Sequence, residues 1–269
     1  MRDDQRMSRR LTAMVLVTLL AGCVAGGPMP SSPLAQPPAP APAPPSGATP
    51  VPQSAASAPS VSPSAVAPPS PSRPATPDGA GPAKDTRTGA ELDRPYVVDG
   101  IPVVSKAHPI SREYQPADPA PDGLEREAAD ALATMTAAAK RDGVTIRVHS
   151  GYRSYDEQAT LLKEKIAEYG DEARARRYNA EPGKSEHQTG LAVDLWDGAT
   201  WGLAVRNTKT GKWLWRHARE YGFILRYPPD KEKITGYAYE PWHFRHIGER
   251  SLDFKPNTSL TLEEYLGLA

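Results

Sequence analysis

The sequence predicts an α+β domain carried at the end of a long proline-rich stretch, and three observations support this. All 19 aromatic residues lie at or beyond Tyr96, so only the C-terminal part of the 269-residue chain holds the side chains a core needs. Nineteen of the 30 prolines fall between Pro28 and Pro82, where Arg73 and Asp78 are the only charges after Val24. Beyond Arg94, helical and strand periodicities alternate irregularly and without an internal repeat. That order points to segregated helices and an antiparallel sheet rather than βαβ units.

The first 23 residues have the order of an export leader. Arg9 and Arg10 precede the apolar run Leu11 to Leu20, and small residues follow up to Cys23. The run is too short to cross a bilayer comfortably. Leu20-Ala21-Gly22-Cys23 resembles the bacterial lipobox, which implies cleavage before Cys23 and acylation of that cysteine. Several acyl chains give a stable anchor where one alone is marginal. The resemblance implies an exported protein, lipid-anchored to a bacterial membrane and facing the periplasm or cell wall.

Residues 24–93 read as a linker. A stretch of Pro, Ala, Ser and Gly buries too little apolar surface to offset its ordering entropy, so the composition predicts a disordered tether. A coil of about 60 residues spans on the order of 40 Å, which lets an anchored domain work at a distance.

Residues 94–269 form the expected domain. Asp122 and Glu125 have capping-box spacing before a helix marked by Leu124, Ala128, Leu132 and Met135, which Gly143 stops. Val144, Ile146 and Val148 alternate with polar residues, predicting a half-buried strand that runs into Ser150-Gly151. Ser154 and Glu157 open a second helix ending at Gly170. Strands are expected at Leu191–Leu195, Phe223–Tyr227 and Trp242–Ile247, with a helix at Trp213–Tyr221. Thr261 and Glu264 cap a short C-terminal helix.

Charge and cysteine content narrow the function. Thirty-two basic and 32 acidic side chains give no net charge, which excludes a nucleic-acid binder held by bulk electrostatics. A single cysteine excludes an intrachain disulfide framework and a multi-cysteine zinc site.

Three motifs carry chemistry. Ser185-Glu-His187-Gln-Thr-Gly190-Leu-Ala192-Val-Asp194 and Glu240-Pro-Trp-His243 supply two imidazoles and carboxylates. A catalytic zinc takes three such ligands and leaves a position for water, and His187, Asp194 and His243 meet that requirement. Gly190 and Ala192 let the chain double back so that ligands seven apart converge. Asp197 is a rival carboxylate. Ser150-Gly-Tyr-Arg153-Ser projects a guanidinium from a strand end, where its fork of donors suits a carboxylate or an oxyanion.

These motifs, with Gly222-Phe-Ile-Leu-Arg-Tyr227 and Ile234-Thr-Gly-Tyr237, resemble the VanY-type D-alanyl-D-alanine carboxypeptidases, zinc peptidases of bacterial cell-wall metabolism. The resemblance covers about Arg94 to the C-terminus. It implies the small α+β zinc-peptidase fold shared with the hedgehog signalling domain, with one Zn2+ on His187, Asp194 and His243. It implies Glu240 as acid/base, Arg153 on the substrate carboxylate or oxyanion, and Gln158 and Ser185 as further substrate contacts. Peptidoglycan stem peptides are the implied substrate. L,D-carboxypeptidases and endopeptidases share the motifs, and a metal-bound but inactive wall-binding module is the non-enzymatic alternative.

Two points of geometry follow. His246 stands where related sequences tend to carry an aromatic, and strand alternation turns it away from His243. Alternation would also separate Glu240 from His243, so a bulge or bend is expected at Pro241.

Overall fold

The computed structural model describes residues 81–269. The expected leader with Cys23, and most of the expected linker, lie outside the described residues.

The domain begins earlier than the sequence suggested. Residues 83–93, assigned to the linker, are folded onto it: the Tyr96 hydroxyl donates to the Ala83 carbonyl, and Arg87 donates to the carbonyls of Arg94 and Pro109. Asp85 accepts from Arg87 and contacts His108 Nδ1 at 2.9 Å, and Gly89–Asp93 form a 3-10 turn. Ion pairing does here what composition could not announce.

Two short strands, β1 (Tyr96–Val98) and β2 (Ile101–Val103), form an antiparallel hairpin. Its turn residues Asp99 and Gly100 both have positive φ, as a two-residue hairpin turn demands. The hairpin packs with Ile224, Phe254 and the C-terminal helix through Leu262 and Leu266.

Helix α1 (Arg126–Arg141) buries Ala128, Leu132, Met135 and Ala139 along one stripe. The expected capping box is absent. The Glu125 carboxylate instead accepts from the backbone of Ala117 and Asp118, tying the preceding loop. The next strand, β3 (Arg147–Ser150), starts later than expected. Val144 and Ile146 are buried before it begins, whereas Val148 is half exposed.

Helix α2 (Tyr155–Tyr169) has the reciprocal Ser154–Glu157 cap and ends at Gly170, as its sequence spacing requires. The short α3 (Glu172–Tyr178) follows. Strand β4 (Ala192–Trp196), helix α4 (Lys209–His217), strand β5 (Phe223–Leu225), the single turn α5 (Glu232–Thr235), strand β6 (His243–His246) and helix α6 (Leu262–Leu266) complete the regular elements.

The main sheet is antiparallel in the order β3-β4-β6-β5. Alternation gives it two chemically different faces. Val193, Leu195 and Phe244 point into the core with Leu132, Met135, Trp213, Leu214 and Phe223. Ala192, Asp194, His243 and Arg245 share the other face, and the register sets Asp194 opposite His243. The fold is the α+β arrangement expected, with polar chemistry concentrated on one sheet face.

Candidate active site

His187 sits on a 3-10 turn, Glu186–Thr189, that closes at Gly190. Gly190 has φ +69°, and a β-carbon there would lie 2.7 Å from Glu125 N, so both conformation and packing demand glycine. The chain then reverses into β4, where buried Ala192 leads to Asp194 two residues on. His243 opens β6 directly opposite.

Three donors converge. His187 Nε2 lies 3.3 Å from Asp194 Oδ2, and His243 Nδ1 lies 3.0 Å from Asp194 Oδ1. All three ligand atoms fall within 4.8 Å of one another, and all three residues are buried. Ligands on a tetrahedral zinc, with bonds of about 2.0–2.1 Å, stand about 3.3 Å apart, so the donor set fits that ion. The outer ring nitrogens are already engaged. His187 Nδ1 is 2.6 Å from the Gly151 carbonyl, and His243 Nε2 is 3.5 Å from Glu186 Oε2. In the neutral imidazoles each contact would leave the other nitrogen, Nε2 of His187 and Nδ1 of His243, with a lone pair toward the centre.

Burial lowers the His187 pKa, keeping the imidazole neutral as a ligand must be. Burial also opposes charge on Asp194, but His187 and His243 outweigh it and hold the carboxyl well below its usual range. His243 behaves oppositely: despite its burial, Asp194 and Glu186 push it up to about 9. Burial, only partly offset by His243, raises Glu240 to about 8. Buried carboxylates thus draw positive charge into the centre, which is what a cation site requires.

Glu240 reaches the centre through a turn at Pro241, the bend rather than the bulge of the two devices expected there. The His243 N–H donates to the Glu240 carbonyl at 3.2 Å, closing a four-residue turn with Pro241 at its second position. The strand begins only at His243, so alternation does not apply to Glu240. Its Oε2 comes to 3.8 Å from His243 Nδ1, beside the donors without belonging to the triad.

Arg153 lines the cleft. Its Nη1 donates to Gln158 Oε1 at 2.7 Å and its Nη2 to Ser150 Oγ at 2.5 Å, with Asp194 Oδ2 at 4.0 Å. Gln158 is buried and donates its Nε2 to the Ala180 carbonyl, so both its ends are occupied in orienting Arg153. Ser185 lines the same cleft, which measures about 600 Å³. Asp197 stays outside: its Oδ1 accepts from the backbone of Ala199 and Thr200 in an exposed turn. His246 lies on the far sheet face, paired with Phe223 in register and 5.0 Å from its ring.

The residue sequence reasoning missed is Glu186. It is fully buried, its Oε1 accepts from Arg226 Nε and Arg245 Nη1, both at 2.8 Å, and its Oε2 faces His243. Arg226 in turn donates two bonds to Glu263 of α6. The only sequence signal was a pair of arginines inside otherwise apolar strand segments, at Phe223-Ile-Leu-Arg226 and His243-Phe-Arg245.

Residues 122–249 match the family model described as VanY, D-alanyl-D-alanine carboxypeptidase. The bifunctional D-Ala-D-Ala dipeptidase and D-Ala-D-Ala carboxypeptidase VanXYC of Enterococcus gallinarum is 34% identical over 183 residues, 61% of this chain and 92% of that one. The chain belongs to the VanY family. It spans 66%, 50% and 44% of three further relatives, YodJ of Bacillus subtilis and D-alanyl-D-alanine carboxypeptidases of Enterococcus faecalis and Enterococcus faecium, at 40%, 42% and 38% identity. Among solved structures, the LdcB LD-carboxypeptidase is similar with a TM-score of 0.56 and 37% identity, over 66% of this chain and 96% of that one. A mutant of the vancomycin-resistance D,D-pentapeptidase VanY, in complex with Zn(II), gives a TM-score of 0.53 and 36% identity over 61% and 97% of the two chains.

Proposed function

We propose that the domain is a zinc-dependent carboxypeptidase that removes the C-terminal D-amino acid, D-alanine, from peptidoglycan stem peptides. The observation that carries the proposal is a buried Glu240, its Oε2 3.8 Å from His243 Nδ1, beside three buried donors in a VanY-family chain. Retention of all three donors with Glu240 weighs against an inactive wall-binding module.

His187 Nε2, Asp194 and His243 Nδ1 would hold Zn2+, which when bound would supply Lewis acidity toward a carbonyl and make water more acidic. Glu240 takes the proton from the attacking water on its carboxylate and passes it to the leaving amine. Burial makes Glu240 readier to hold a proton than an exposed carboxylate, which suits a group that must accept one and then release it. Arg153, pinned by Gln158 and Ser150, is already aimed when substrate arrives and offers its fork to the terminal carboxylate or the oxyanion. Tyr227, whose ring lies 4.9 Å from that of His243, helps to exclude water from the histidine.

Release of D-alanine from a defined pentapeptide and from the tetrapeptide, with and without chelator, tests the proposal. Chelator-sensitive release supports it. Cleavage only within the stem would make the protein an endopeptidase, and no cleavage with zinc bound would favour the inactive module.

Anchoring is a separate part of the proposal. The lipobox-like Cys23 and the proline-rich stretch behind it support export, acylation and a tether that carries the domain from a bacterial membrane toward the cell wall.

A further inference from the structure

The stretch Gly183–Gln188 brings Ser185, Glu186 and His187 to the cleft, and one short segment holds it at both ends. At its start the Ile110 N–H donates to the Gly183 carbonyl at 2.8 Å. The two backbones lie so close that a β-carbon on Gly183 would stand 2.4 Å from the Ile110 carbonyl oxygen. At its end Gln188 Nε2 donates to the Ser111 carbonyl at 2.8 Å. Gln188 is buried and its Oε1 has no partner among the described residues, so the Ser111 bond is the one polar hold on that side chain. Tyr155, the first residue of α2, packs against Gly183 as well, and Arg112 lies over its ring.

The holding segment, His108 to Ser111, is itself only as firm as what secures it. Apolar burial secures it little: Ile110 shares a cluster with Val104 and Tyr114 alone, separate from both larger cores. The exposed Arg112–Asp156 pair is screened by water and adds little more. Beyond local turns at Ser105 and Glu113, its other polar contacts come from residues 85–93. Asp85 Oδ2 meets His108 Nδ1 at 2.9 Å, and Arg87 Nη2 donates to the Pro109 carbonyl at 3.0 Å. The Ser111 N–H donates to the Leu92 carbonyl at 2.9 Å, and its Oγ donates to Asp93 Oδ1 at 2.5 Å. Arg87 also grips Asp85 through Nε at 2.8 Å and Nη2 at 2.7 Å, a two-bond fork between largely buried side chains.

We infer that residues 85–93 are a positioning strap for the metal site, with Arg87 and Asp85 as its clasp. By fixing His108 to Ser111 they fix both ends of the stretch that bears His187, and so set how well that imidazole is presented to zinc. None of Asp85, Arg87, Leu92 and Asp93 hydrogen-bonds a metal ligand, so the effect passes through Gly183 and Gln188. Outer supports of this kind hold a metal site to its working geometry as surely as the ligands do. A domain begun at Arg94 would keep every ligand, Glu240 and Arg153, and would lose the strap.

Competitive zinc titration of the metal-free full chain tests this in Arg87→Ala, Arg87→Lys and a control. Loss of a group that directly orients a ligand weakens metal binding about 10- to 100-fold, and one contact further out Arg87→Ala should cost about 3- to 10-fold. Arg87→Lys keeps the charge without the fork and should fall between Arg87→Ala and wild type. The control, Trp213→Phe, breaks the indole bond to Asp142 on the other side of the sheet, and should lower Tm while leaving zinc affinity intact. The side-chain amide resonances of Gln188 should shift in Arg87→Ala and stay put in Trp213→Phe. Wild-type zinc affinity in Arg87→Ala, or a loss matched by Trp213→Phe, would make the strap a purely structural feature and overturn the inference. If Arg87→Ala does not fold, Arg87→Lys decides: wild-type affinity and unmoved Gln188 resonances in that variant overturn it equally. Both readings are taken without turnover, so they stand apart from the carboxypeptidase proposal.

Discussion

Replacing Glu186 with glutamine should damage both folding and metal affinity, although the residue is not a metal ligand. Its side chain is wholly buried, and one oxygen takes two guanidinium bonds at 2.8 Å. Neutralising it leaves Arg245 with no anionic partner, only the amide oxygen and the carbonyls of Pro102 and His246, and leaves Arg226 with Glu263 as its one carboxylate. Breaking a buried ion pair from one side costs about 3–5 kcal/mol, which in a domain of this size lowers Tm by roughly 6–20 °C. The second effect runs through His243, whose outer nitrogen loses its carboxylate partner, and loss of such an outer contact typically weakens metal binding by about 10- to 100-fold. Thermal unfolding of the metal-free protein and a competitive zinc titration separate the two effects. Glu263→Gln is the control: it removes the outer partner of Arg226 and should lower Tm while leaving zinc affinity intact. A Glu186→Gln protein that melts within a degree or two of wild type and binds zinc equally well would refute the reasoning.

Three further outcomes are expected. Burial, reinforced by Arg245, pulls His246 down to about 4. Between pH 4 and 6.5 the unfolded chain therefore binds a proton that the folded chain does not, and stability falls as pH drops through that window, by roughly 3 kcal/mol at its foot. Urea unfolding of the metal-free protein at several pH values measures this, and His246→Phe should flatten the slope. Amidating the C-terminus of a stem peptide should cost most of the wild-type rate through loss of a charge-assisted pair with Arg153. Arg153→Ala should then treat free and amidated peptides nearly alike, whereas equal wild-type rates on both would argue for endopeptidase action. Cys23→Ser should release the protein from the membrane fraction or leave an uncleaved precursor, and unchanged fractionation would remove the anchor from the account.

The parts of the site that were legible in the sequence are those set by short-range geometry. Gly190 and Ala192 give the reversal that brings His187 and Asp194 together, and the Ser154 and Thr261 boxes start their helices where the spacing places them. The illegible parts depend on contacts distant in sequence. Glu125 has cap spacing, but the loop at Ala117 and Asp118 captures its carboxylate first. Val148 looks like a core position in an alternating run, yet β3 is an edge strand and the residue stays open. Residues 83–93 read as linker because the Asp85–His108 contact joins positions 23 apart. The network of Glu186, Arg226, Arg245 and Glu263 joins a turn, the end of β5, strand β6 and the last helix, and its only local trace is the two arginines in otherwise apolar segments.

The central claim is that Glu240 moves the proton while His187, Asp194 and His243 hold the metal. It is tested most directly by measuring zinc content and D-alanine release together in Glu240→Gln. The amide keeps the shape of the side chain and removes only its basicity. A full equivalent of zinc and turnover reduced by about 10²- to 10⁴-fold are expected. Near wild-type turnover in that variant, or loss of its zinc, would contradict the account.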